Sequence, residues 1–179
     1  MLAALLRSQV ARFGARYGYD TSYIREMADL DAAGALKYGL MAPFTGHRFG
    51  LPPGPYFAAK ATAARLTDCG SCLRLVIAMA AEAGVAETDL AATLVGRGDH
   101  APPGMKLASR YAAAVIDNDA GLAEIIEACA ERFGRRGVAG LAAATVSGML
   151  YPTLKRGLGY GNACEPLLAE LARRAVASD

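Results

Sequence analysis

A chain of 179 residues has room for one well-buried core and too little for two full-sized domains, so a single domain over residues 1–179 is expected. A net charge of +2 with both signs scattered argues against the clustered basic face that a nucleic-acid surface needs. Four cysteines, Cys69, Cys72, Cys129 and Cys164, are too few for the disulfide framework of a small secreted domain and fit a reducing, cytoplasmic setting.

Alanine and leucine dominate, valine and isoleucine are sparse, and no run alternates strictly, so the expected fold is all-α, a single-domain helical bundle. The first segment, Leu2 to Tyr17, does not read as a secretory signal. Its Arg7, Arg12 and Arg16 without acids resemble a transit peptide less than its Leu2, Leu5, Leu6, Gln9, Phe13 and Tyr17 suit an ordinary first helix. Further helices are predicted over Ser22 to Tyr38 or a little beyond, Pro55 to Leu66, Cys69 to Ala83, Glu87 to Val95, Gly104 to Asp117, Ala120 to Phe133, Val138 to Leu150 and Cys164 to Ala177. Clusters of Gly and Pro over Gly46 to Pro55, Gly96 to Pro103 and Gly157 to Asn162 mark turns rather than domain linkers. The longest apolar stretch, Gly137 to Pro152, is short of the ~20 residues needed to span a bilayer, so no membrane segment is expected.

The feature with most chemical content is Asp68-Cys69-Gly70-Ser71-Cys72 at the start of a helix. Two cysteines three apart can close a disulfide with little backbone movement, and the free N–H groups of a helix start favour a thiolate. Helical spacing from Cys69 through Cys72, Leu73, Val76, Ile77 and Ala80 puts both sulfurs on the apolar face, which suits either a seated redox pair or simple packing. Asp68 is placed to cap the helix, with Arg65 one turn earlier able to pair with it. A structural zinc site would need four ligands, and His47, His100, Cys129 and Cys164 are scattered, so no metal is expected.

These residues, together with the apolar run Leu73 to Ala83, the stop at Gly84-Val85 and the acidic restart, resemble the alkylhydroperoxidase-D-like (AhpD-like) group of the carboxymuconolactone decarboxylase superfamily. The resemblance is specific over Tyr56 to Leu94 and extends to Tyr151-Pro152-Thr153-Leu154-Lys155 and Gly159 to Cys164. It implies an all-helical homo-oligomer. Peroxidases of that group carry CxxCxxxH with an upstream glutamate and often a histidine inside the motif. Here those histidine positions are Val76 and Ser71, and no glutamate occurs between Met27 and Ala81. A peroxide's leaving alkoxide needs a proton, so the missing relay weakens the peroxidase assignment while leaving the dithiol intact.

The reading is therefore a cytoplasmic thiol oxidoreductase in which Cys69 and Cys72 are catalytic, acting in peroxide reduction or thiol-disulfide exchange. Cys69 at the helix start is favoured as first nucleophile. No bound cofactor is required. The expected partners are a small peroxide or disulfide substrate, an external thiol reductant and further copies of the chain, with no nucleic acid and no membrane. Rival readings are a carboxymuconolactone decarboxylase-like enzyme, which the dithiol would not serve, and a non-catalytic binding module with packed cysteines. His100 and His47 lie in loops from which an imidazole could reach back to the cysteines, although such histidines are more often simply exposed. Cys164 opens the last predicted helix and Cys129 reads as packing.

Overall fold

The computed structural model describes residues 2–41, 45–96 and 100–161, and among these the protein is all-α with no strand. Helix α1 spans Leu2–Tyr17. A left-handed Gly18 then turns the chain, and the Tyr19 N–H donates back to the Gly14 carbonyl. The predicted helix from Ser22 onward is two, α2 (Ser22–Leu30) and α3 (Ala32–Gly39). Asp31 between them is extended, and its side chain accepts from the Ala33 N–H, so an Asp inside a helical run starts a new helix instead of continuing the old one.

Helix α4 (Pro53–Leu66) begins with Pro53 in its first position, two residues before the predicted start. Every residue from Tyr56 to Ala64 is buried. It is the axis of the molecule and packs against α5 (Gly70–Glu82), α6 (Glu87–Val95), α7 (Pro103–Asp117) and α8 (Leu122–Gly157). A helix buried all round has no polar face, and alanine methyls let its neighbours come close. Gly148 of α8 shows how close: a Cβ there would run into the Lys60 carbonyl oxygen and sit 2.7 Å from the Ala63 methyl.

Helix α8 is interrupted once, at Gly134, whose φ of 70° and ψ of 166° suit only glycine. The segment after the break was expected to stop at Leu150 but continues through Pro152 to Gly157. Leu141, Ala144, Gly148, Pro152 and Lys155 recur every three or four residues along its buried side. By length and composition α8 is apolar enough to cross a membrane, and about half of its apolar window is buried against the other helices. The predicted helix from Cys164 to Ala177 lies outside the described residues.

Two buried clusters result. The larger gathers Tyr56, Phe57, Leu73, Leu90, Leu94, Met105, Tyr111, Cys129 and Leu141 around the alanines of α4 and α7. The smaller holds Tyr19, Tyr23, Cys69 and Cys72, flanked by Tyr17, Ile24, Leu75, Leu154, Leu158 and Tyr160.

Candidate active site

Helices α4 and α5 meet through three residues, which decides where the cysteines point. Thr67 ends α4, Asp68 takes a left-handed conformation (φ 52°), and Cys69 is itself the residue that opens α5. The expected capping by Asp68 is therefore corrected: the connection is too short to leave Asp68 in the capping position, and Cys69 occupies it. One turn on, Cys72 lies on the same side. Both thiols are free, and Cys69 is 1% and Cys72 4% exposed, on the buried face as the helical spacing required.

Three further elements close around the sulfurs. From the α1–α2 connection, the Tyr19 hydroxyl lies 3.4 Å from Cys72 Sγ and 3.2 Å from the Tyr23 hydroxyl of α2. Within the motif, Ser71 Oγ is 3.6 Å from Cys69 Sγ. From the end of α8, Lys155 reaches in with no exposed surface, and its Nζ donates to Ser71 Oγ at 2.8 Å. The same ammonium lies 5.2 Å from the ring centre of Tyr19 and 5.8 Å from that of Tyr23, where the negative faces of the rings attract it. The edge of this cover is fastened by Glu82 at the end of α5, which accepts from Arg16 Nη2 at 2.9 Å and from the Tyr17 hydroxyl at 2.8 Å.

The two sulfurs are electrostatically unlike. Cys69 is brought down to about 6, chiefly because its thiolate accepts the proton of the Cys72 thiol, against the cost of burial. The Ser71 hydroxyl, the backbone N–H of Cys72 and the charge of Lys155 add to the shift. Cys72 moves strongly upward, first through the same hydrogen bond and then through burial. Burial also holds the Tyr19 and Tyr23 hydroxyls protonated far above the usual tyrosine range. The shifts favour a thiolate at Cys69 over one at Cys72, beside neutral phenols. That is the arrangement of an attacking and a resolving sulfur.

His47 is exposed and packs edge-on against Phe49, with ring centres 4.6 Å apart, and His100 is exposed ahead of α7. Neither is among the groups that act on Cys69 or Cys72. Cys129 is fully buried in the larger cluster and pushed up to about 11 by burial, as its packing role requires. Cys164 lies outside the described residues. Among the described residues no three His, Cys, Asp or Glu side chains converge on a point that could hold a metal ion.

Sequence reasoning singled out neither the tyrosines nor Lys155 as part of the site. A signal for Lys155 existed: the stripe 141, 144, 148, 152, extended by one step, lands on 155. It was lost by ending the helix before Pro152. Comparison of the chain with protein-family models, with curated proteins and with solved structures finds no match.

Proposed function

We propose that this protein is a thiol oxidoreductase that reduces small organic hydroperoxides, with Cys69 as the attacking and Cys72 as the resolving sulfur. The observation that carries the reading is geometric: two free thiols on one buried face of a helix start, with Cys69 in the capping position and the Ser71 hydroxyl 3.6 Å from its sulfur; the downward shift of Cys69 and the upward shift of Cys72 support the same order. The thiolate attacks the hydroperoxide and becomes a sulfenic acid while the alcohol leaves. Cys72 then displaces water to form the disulfide, and two equivalents of an external thiol restore both sulfurs while forming their own disulfide. The near-complete cover over both sulfurs favours a small oxidant over the disulfide of a folded partner. The likeness of Asp68 to Cys72 to the AhpD-like motif supports the same chemistry, and with it comes the expectation of a cytoplasmic homo-oligomer.

Burial is also what supports the rival reading, in which the thiols only pack. The experiment that separates them treats the fully reduced protein with one equivalent of tert-butyl hydroperoxide and maps the sulfurs by alkylation and mass spectrometry. A Cys69–Cys72 disulfide that forms in the wild type, with a trapped sulfenic acid at Cys69 in Cys72→Ser, is the expected result. Thiols that react only after unfolding would sink the proposal.

A further inference from the structure

Two sulfurs alone give no reason to bury a lysine. Lys155 has no exposed surface, and taking an ammonium out of water is costly unless an anion accompanies it. Among the described residues no carboxylate forms an ion pair with it. The groups around it are Tyr19 and Asp20 from the α1–α2 connection, Tyr23 from α2, Ser71 from α5, and the sulfurs of Cys69 and Cys72. Asp20 feels its charge but is exposed, and accepts two hydrogen bonds from Ser22. Burial keeps the tyrosines neutral. The buried group of this set placed to carry the balancing negative charge is the Cys69 sulfur at the helix start, one hydroxyl away: Ser71 Oγ lies 3.6 Å from it and 2.8 Å from Lys155 Nζ.

We propose that Lys155 and Ser71 form the proton relay of the dithiol. In this relay the Lys155 ammonium and the Cys69 thiolate are a buried charge pair of the reduced protein that is discharged as the disulfide forms. The inference rests on the hydroperoxide reading above. As the S–O bond forms at Cys69 and the O–O bond breaks, the leaving alkoxide takes the Ser71 hydroxyl proton, and Ser71 takes one from Lys155 Nζ. The products are alcohol, a sulfenic acid at Cys69 and a neutral amine. Cys72 then forms the S–S bond, and its proton leaves with the sulfenic hydroxyl as water. The two sulfurs give up two electrons to the hydroperoxide. One negative and one positive charge vanish together, so neither redox state strands an unpaired charge in the interior. Ser71 and Lys155 thus supply the proton that Val76 and the absent upstream glutamate do not.

Proton counting tests this on the wild-type protein. Reduced protein is mixed with tert-butyl hydroperoxide at pH 7.5 in a weakly buffered indicator solution, with the thiolate followed by its absorbance near 240 nm. The relay predicts loss of one thiolate and no net proton uptake per disulfide. Uptake of one proton per disulfide overturns the discharge of the pair, because the lysine is then charged in the disulfide form, and leaves the hydroperoxide reading standing. Absence of a thiolate removes the charge pair and overturns it as well, while absence of any disulfide overturns the relay together with the hydroperoxide reading. A second comparison uses Ser71→Ala at pH 8. Oxidation by the hydroperoxide should slow at least tenfold, whereas alkylation by iodoacetamide, whose iodide leaves without a proton, should change less than threefold. Ser71→Thr should restore the oxidation rate. Equal slowing of both reactions would assign Ser71 to packing and overturn the relay.

Discussion

Around α4 the interior is filled by alanine methyls and by Leu73, Leu90 and Leu141, whereas around α5's first turn it is filled by sulfur, hydroxyl and ammonium groups. The sulfurs and Lys155 of the second region are buried as deeply as the first, with Ser71 half-buried beside them. The first is stable because small apolar surfaces leave no gaps. The second is stable because each polar group answers another: Lys155 to Ser71, Ser71 to Cys69, Tyr19 to Cys72 and Tyr23. Burial therefore means opposite things in the two places. In the large cluster a buried thiol such as Cys129 is suppressed, while in the small one the thiol of Cys69 is activated.

The contrast is broken most sharply by Cys69→Ser. Hydroperoxide turnover should fall on the order of 10³-fold or more, as expected for loss of a nucleophile, while the melting temperature moves only a few degrees. Leu141→Ala should do the reverse. It should lower unfolding free energy in denaturant titrations by about 2 to 5 kcal/mol, leaving the rate of Cys69 alkylation in the folded protein unchanged.

The pH dependence of stability sharpens the comparison. The folded state lowers Cys69 to about 6 from an ordinary 9.0, so its stabilising contribution is complete above the unfolded value and is lost as pH falls through about 6. The stability advantage of the reduced wild type over Cys69→Ala should thus grow by roughly 2 to 3 kcal/mol between pH 5 and pH 8, measured by thermal melts. Lys60 tests the large cluster in the opposite sense. It is 9% exposed, and burial lowers it to about 8, with the Tyr56 ring beneath its ammonium. The folded state binds its proton less well than the unfolded chain, so this penalty is present at neutral pH and fades as pH rises above about 8. Lys60→Met should stabilise the protein by about 1 to 2 kcal/mol at pH 7 and by less at pH 10.

Most of the fold is legible in the sequence because most helices here end on strong local signals. Glu87–Val95 runs from an acidic first turn to a left-handed Gly96, and both its ends are found from the residues alone. The join at Asp31 was missed because alanines on both sides carry a continuous helical pattern, and a single capping side chain overrides it. The extension of α8 through Pro152 was missed because proline is an ordinary stop; tertiary packing of a buried stripe holds the helix through it. The dithiol was legible as a short motif. Its setting was not, since Tyr19 and Lys155 lie 50 and 86 positions from Cys69 and share no local pattern with it.

The contacts of Glu82 with Arg16 and Tyr17 tie the end of α5 to the end of α1 at the rim of the site. They lie in solvent, with the Arg16 and Glu82 side chains 64% and 46% exposed, where water and salt weaken an ion pair. Dissolved ions screen such a contact, while charges around the buried sulfurs are screened far less. Salt therefore reaches the two layers unequally: the contacts at the rim weaken as ionic strength rises, while the groups packed around the buried sulfurs keep their surroundings.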